Sequence, residues 1–222
     1  MQPVFTGPQW FSGVDHAFGI LSLLTAIFVA YYSYRIYRFT DQHKYRLMAL
    51  AFLLIGLSFG VKVLTDLGVR AQVTEMGGIQ NLAQIVYISS TLQSGYFAMR
   101  FFMLLGLVLF LKLAFDIRNN RILVLLAFFS LMVTFSAHST YYAYHIAAAV
   151  MLAFIIEFLI RNYFQKKTKA AGVVVAAFCL LLLGQLSFIF VTKSAKLYAL
   201  GETLQLGGFV LFIVNHVLLL RR

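Results

Sequence analysis

A small set of ionisable side chains interrupts the apolar stretches of this chain, and these are the residues able to do chemistry. Ionisable groups inside apolar helices are costly and usually face the interior of a helix bundle, so each one marks a candidate site. Most of them gather at one end of the predicted helices. We predict that they form an outer polar cluster that binds a ligand, made of Asp15, His16, Lys62, Asp66, Arg100, His138, Tyr141 and His145.

The cations of this cluster indicate the charge of a ligand. Arg100 and Lys62 would hold an anion, and the histidines would make binding respond to pH. Lys62 and Asp66 stand one helical turn apart, so a local ion pair between them is expected. Only eleven residues separate Arg100 from Lys112, so both charges cannot lie comfortably outside the hydrocarbon. One of them must snorkel or find a partner, and Asp15, Asp66 and Glu75 are the anions available on the side of Arg100. The alternative interpretation is a belt of charged and aromatic residues at the lipid headgroups.

The histidines leave a redox function open as an alternative. A b-type haem needs two axial histidines from facing helices at one depth, and His16, His138 and His145 lie on the same side. Asp15 adds a carboxylate that suits a metal ion, although no helix carries the HxxxH or HExxH spacing. Hydrolase, Walker A and GxGxxG motifs are absent from the sequence. We therefore predict no resident cofactor and no enzymatic activity, with haem or a metal as the alternative.

A second polar set lies deeper in the predicted helices. Glu157 is far enough from the end of its helix that it should be either protonated and hydrogen-bonded to another helix, or part of a proton relay or cation site. Amide and imidazole groups in neighbouring spans could supply interhelical hydrogen bonds. The intramembrane polar residues predicted on this basis are Glu157, Gln185, Asn215 and His216.

The elements that position these residues are seven apolar helices. Of the 222 residues, 62% are apolar and 11% are charged, against about 25% charged in a soluble domain. A bilayer crossing needs ~20 apolar helical residues. The sequence therefore predicts an all-α integral membrane bundle over residues 1–222 as one domain, with spans near 15–38, 46–67, 92–116, 121–137, 141–164, 170–192 and 198–220.

The distribution of Lys and Arg predicts the orientation. Thirteen of the eighteen basic residues fall at one set of span ends, which the excess of positive charge assigns to the cytoplasm. The N-terminus is then outside and the C-terminus is cytoplasmic, in a multi-pass protein of the cell membrane. The net charge of +11 is interleaved with the spans, so we expect it to face anionic lipid of the inner leaflet and not nucleic acid.

Two local patterns concern how the helices connect and pack. Residues 79–90 show a helical spacing of apolar residues, which predicts either a separate helix in the outer interface or an outward extension of the third span. Gly184, Gly207 and Gly208 predict close contacts between helices. The only prolines, Pro3 and Pro8, precede the first span, so no span has a proline kink.

Three segments carry a family resemblance: residues 34–40 (YRIYRFT), 50–59 (LAFLLIGLSF) and 204–212 (LQLGGFVLF). They resemble archaeal and other prokaryotic seven-helix membrane proteins and the seven-helix sensor modules that precede histidine kinases. The resemblance implies a sensing or scaffold role and carries over no catalytic residue. Because no output domain follows the seventh span, we expect any signal to pass to a separate protein partner at the membrane.

Together these observations predict a non-enzymatic membrane protein. It would be a small-ligand sensor or an accessory subunit of a membrane assembly, with the outer polar cluster as its binding site. The redox subunit described above is the first alternative. A small transporter or proton-coupled carrier is the second, although transporters usually show broken helices or internal repeats.

Overall fold

The computed structural model describes residues 8–11, 13–75 and 82–220, and this part of the chain is all-α. Its seven long helices are each long and apolar enough to cross a membrane. They are α1 (Val14–Thr40), α2 (His43–Glu75), α3 (Leu82–Ala114), α4 (Asn120–Ser139), α5 (Tyr141–Lys166), α6 (Lys169–Ile189) and α7 (Lys196–Leu220). Single turns of 3₁₀-helix, Gln9–Phe11 and Val191–Lys193, precede α1 and α7.

The helices run alternately up and down, which gives the bundle two ends. We call the end at which α1 begins the N-side, and the end at which α7 finishes the C-side. Most connections between the helices are short. Their residues end one helix and begin the next. Asp41 and Lys167 end α1 and α5 in the left-handed conformation, with φ of 51° and 47°. The Asn119 side chain caps α4 by accepting a hydrogen bond from the backbone N–H of Arg121.

Six of the helices form a closed ring. Each of α1, α2, α3, α5, α6 and α7 packs against the next in that order, and α7 returns to α1. The short helix α4 lies outside the ring, against α3 and α5. Its outward surface is strongly apolar, and Val124 and Leu125 are 67% and 64% exposed.

Four phenylalanine rings fill the interior of the C-side half. They come from four different helices and form a closed square of edge-to-face contacts, with ring centroids 5.0 to 5.3 Å apart. All four side chains are buried, with exposed fractions of 2% to 6%. We call this group the aromatic plug, and its members are Phe52, Phe110, Phe178 and Phe212.

The predicted glycine contacts are confirmed between α6 and α7. A Cβ atom on Gly184 would lie 3.1 Å from the carbonyl oxygen of Gly201, and one on Gly208 would lie 2.9 Å from that of Ala177. These two positions therefore let the two backbones approach closely. Gly207 is less constrained, since its Cβ would lie 3.4 Å from the end of the Leu180 side chain.

The third span is longer than predicted. Helix α3 begins at Leu82 and runs without a break to Ala114, so residues 82–90 extend the span and do not form a separate helix. Residues 79–81 of that prediction lie outside the described residues.

Candidate functional site

A cavity of about 380 Å³ lies in the N-side half of the ring, beyond the aromatic plug. Six helices, α2 to α7, contribute to its lining, which extends from Ser58 and Met103 in the middle of the bundle to the exposed side chain of Gln93. Its polar lining residues are Ser58, Lys62, Gln93, Tyr96, Arg100, Thr134, Tyr141, Tyr144, His145, Gln185, Tyr198, Glu202 and Gln205.

A buried ion pair crosses the cavity between α2 and α7. The ammonium of Lys62 donates a hydrogen bond to the carboxylate of Glu202. The two residues are 7% and 5% exposed, and the ammonium lies 5.9 Å from the ring centroid of Tyr198. Burial of either charge alone would be costly, so each charge makes the burial of the other possible.

Asp66, one turn after Lys62, makes a different contact. Its Oδ1 accepts a hydrogen bond from the hydroxyl of Tyr96 on α3, at 3.0 Å. The local ion pair expected between Lys62 and Asp66 is therefore wrong. Tyr96 lines the cavity and Asp66 does not. The carboxylate of Asp66 therefore fixes the hydroxyl of a lining residue without lining the cavity itself.

Arg100 on α3 reaches toward α4 and α5. Its Nη1 donates a hydrogen bond to the carbonyl oxygen of Ala137 at 3.0 Å, near the end of α4. The guanidinium carbon lies 6.0 Å and 5.8 Å from the ring centroids of Tyr141 and Tyr144. Among the residues whose side chains are described, no carboxylate lies within 4 Å of this guanidinium. Asp15 and Asp66, two of the anions considered as partners, therefore do not pair with Arg100, which contacts a carbonyl oxygen and two aromatic faces. The side chain of the third, Glu75, lies outside the described residues.

His145 joins α5 to α6. Its Nδ1 lies 2.8 Å from Oε1 of Gln185, and both side chains are buried. The imidazole packs against Phe188, with ring centroids 5.1 Å apart, and against Tyr144 at 4.8 Å. Because the amide oxygen only accepts, Nδ1 is the donor in this contact.

Four of the eight residues predicted for the outer cluster line the cavity: Lys62, Arg100, Tyr141 and His145. Asp15 and His16 do not line it and pair with each other instead, with Oδ1 and Nδ1 2.7 Å apart. The side chain of His138 lies outside the described residues. The predicted haem and metal ligands His16 and His145 thus take part in separate contacts, and the described residues contain no group of three or more potential metal ligands.

Of the four residues in the deeper polar set, Gln185 lines the cavity, whereas Glu157, Asn215 and His216 do not. The hydrogen bond to another helix expected of Glu157 is wrong, because this carboxylate accepts from Arg161 one turn later in α5, at 2.5 Å, on the exposed surface. Asn215 and His216 lie near the C-side end of α7, where the ring of His216 is 3.9 Å from that of Tyr32 on α1.

Sequence reasoning missed Glu202, Tyr96 and Tyr198. A signal for Glu202 was present, because it stands early in α7, at the same end of the bundle as Lys62. Spacing along the helix supplies a second signal. Glu202 and Gln205 precede Phe209 and Phe212 at intervals of three and four residues, so they share one interior face of α7.

Comparisons with known proteins give no family for this chain: it matches no protein-family model, no curated protein and no solved structure.

Proposed function

We propose that this chain is a seven-helix integral membrane protein of the cell membrane, with its N-terminus outside and its C-terminus in the cytoplasm. The seven apolar helices support the membrane location. So do the large apolar side chains on the outer surface, such as Leu64 at 71% exposed and Val124 at 67%. Monomeric soluble proteins rarely expose apolar surface on this scale.

The charge at the two ends supports the orientation. In the described part of the chain, the N-side ends carry three basic residues, Arg70, Lys193 and Lys196. The C-side ends carry eleven: Arg35, Arg38, Lys44, Arg46, Lys112, Arg118, Arg121, Arg161, Lys166, Lys167 and Lys169. An excess of Lys and Arg marks the cytoplasmic side, where it also meets anionic lipid.

Labelling of single cysteines tests this orientation. In a Cys179→Ala background, a membrane-impermeant maleimide added to intact cells should label Ser194→Cys at the N-side. It should label Gln42→Cys at the C-side only after permeabilisation. The reverse pattern would contradict the proposed orientation, and labelling of neither site after solubilisation would show that the loops are not accessible as described.

We propose further that the cavity is the binding site of a sensor for a small ligand. The observation that carries this proposal is the convergence of polar side chains from six helices on one cavity of about 380 Å³. Ligand sites are concave, range over about 300–1,000 Å³ and combine apolar walls with a few placed polar groups. A ligand here would contact both α2 and α7, which the Lys62–Glu202 pair joins across the cavity, so its binding can alter the distance between these helices.

A matched pair of variants tests the site. Gln93 lines the cavity and is exposed, whereas the next residue, Ser94, is exposed and does not line it. A chemically mixed library of small anions, cations and neutral molecules is screened for compounds that raise the thermal unfolding midpoint of the purified protein. Hits should stabilise the wild type and Ser94→Trp, and should lose their effect on Gln93→Trp, whose added ring narrows the cavity. Hits that stabilise both variants equally, or a library without a hit, would overturn the proposal.

A further inference from the structure

The charges that line the cavity are unequally compensated. The ammonium of Lys62 has the carboxylate of Glu202 as its partner. Arg100 has no carboxylate within 4 Å among the side chains that the structure describes. A partly buried cation without a counterion loses part of its hydration. For Arg100, a carbonyl oxygen and two aromatic rings replace only some of the lost interactions. The guanidinium is therefore the place in the cavity where an anion gains most.

The contacts of Arg100 fix its orientation without using all its donors. Its recorded hydrogen bond to the described residues uses Nη1, and the faces of Tyr141 and Tyr144 flank it from α5. A guanidinium has five N–H donors in a rigid planar fork. The remaining donors can bind a carboxylate through two parallel hydrogen bonds, a geometry that a lysine cannot offer.

The apolar lining of the cavity indicates the rest of the ligand. Phe97 and Met99 on α3, Phe59 on α2 and Phe188 on α6 form apolar surfaces of the same cavity. The volume lies at the lower end of the range for ligand sites, so the occupant is small. Aromatic and thioether walls favour a compact apolar or aromatic body over a sugar or a polyanion.

From these observations we infer that the cavity binds a small monocarboxylate with an apolar or aromatic body, whose carboxylate is held by Arg100. This inference rests on the proposed ligand site and names its ligand class. The competing role for Arg100 is purely structural: it caps the last turn of α4 through Ala137, where a cation also faces the negative end of the helix dipole.

Three probes with the same phenylpropyl body separate these roles. They are 4-phenylbutyrate, 4-phenylbutanol and 4-phenylbutylamine, which end in a carboxylate, an uncharged hydroxymethyl group and a positively charged aminomethyl group. Apparent affinities are measured from the rise in thermal unfolding midpoint of the detergent-solubilised protein. The butyrate should stabilise the wild type at concentrations at least about tenfold lower than the other two, since hydrogen bonds to a charged group are worth more than neutral ones.

Variants of Arg100 locate the effect. Arg100→Gln should remove the preference for the carboxylate, and Arg100→Lys should retain part of it because the charge remains but the planar fork is lost. Lys193→Gln is the matched control, since it removes one exposed positive charge from the same end of the bundle and should leave the preference unchanged. If Arg100→Gln fails to fold, the reduced preference of Arg100→Lys still tests the inference.

The possible failures are distinguishable. Equal stabilisation by the alcohol and the carboxylate would overturn the monocarboxylate inference and leave the ligand site standing. A preference for the amine would point to Glu202 as the binding group and would overturn it too. Unchanged preference in both Arg100 variants would assign Arg100 the structural role alone. No effect of any probe would reject this ligand class, while the mixed library decides separately whether the cavity binds anything.

Discussion

The two halves of the six-helix ring differ in how their interiors are packed. In the C-side half, the aromatic plug closes the interior with four interlocking rings. In the N-side half, charged and polar side chains from the same helices leave a cavity of about 380 Å³. Apolar side chains can interdigitate to fill space, whereas polar groups must keep the distances and angles of their hydrogen bonds.

The change from one half to the other follows a single interior stripe on each helix. On α2 the stripe passes from Phe52 through Ile55 and Phe59 to Lys62 at intervals of three and four residues. On α7 it passes from Glu202 to Phe212 in the opposite chain direction. Because the two helices are antiparallel, their polar residues meet at one level and their phenylalanines at another. The interior stripes of these helices therefore fill one end of the bundle with aromatic rings and leave a polar cavity at the other.

The largest expected effect comes from breaking the ion pair of the cavity. Lys62→Met or Glu202→Met alone should destabilise the protein by about 3–5 kcal/mol, because each leaves an uncompensated buried charge. The double variant should recover most of this loss. Unfolding in a denaturant series measures the cycle, and the exposed pair Asp116–Arg118 is the control: Asp116→Asn should cost less than about 1 kcal/mol. Additive single effects would contradict the pairing.

The second prediction compares aromatic residues in the two halves. Phe52→Ala should lower the free energy of unfolding by about 3 kcal/mol, since it removes a ring that two others contact and leaves a hole in a filled interior. Phe97→Ala should lower it by less than half as much because Phe97 already borders the cavity. Unfolding midpoints of the two variants, measured under one condition, give the comparison. Equal losses would show that the cavity half is packed as tightly as the plug.

The third and smallest effect concerns the close approach of α6 and α7. Gly208→Ala should cost about 1–3 kcal/mol, because its Cβ would lie 2.9 Å from a backbone carbonyl that cannot move aside easily. The neighbouring Gly207→Ala meets only the flexible end of Leu180 and should change stability little. Thermal unfolding of the two variants side by side gives the comparison. A neutral Gly208→Ala would mean that the two helices can separate without loss.

The seven helices could be predicted because every span repeats the same requirement for ~20 apolar residues and the turns between them are short. The site could be predicted only in part. Residue type alone picks out charges in apolar stretches, but it does not say which face of a helix carries them. Glu157 is the example, because it lies on the exposed surface of α5, outside the stripe of buried residues. That stripe is made of Tyr144, His145, Ala148, Ala149, Met151, Leu152, Ile155 and Ile156.

Pairing across the bundle was harder to predict than position along a helix. The nearest acidic residue in sequence to Lys62 is Asp66, but the partner in space is Glu202, 140 residues later. Contacts of this kind depend on the relative rotation and depth of two helices, which the hydrophobic pattern fixes only to within about a turn. The role of Tyr96 as the partner of Asp66 depends on the same unknowns.

The most direct test of a ligand in the cavity is a density map of the protein, purified in mild detergent from the cells that make it. Non-protein density is expected inside the cavity, in contact with the guanidinium of Arg100 and bounded by the intact Lys62–Glu202 pair. A cavity that contains only ordered water, or one that its own side chains fill with Arg100 turned onto Glu202, would contradict this expectation.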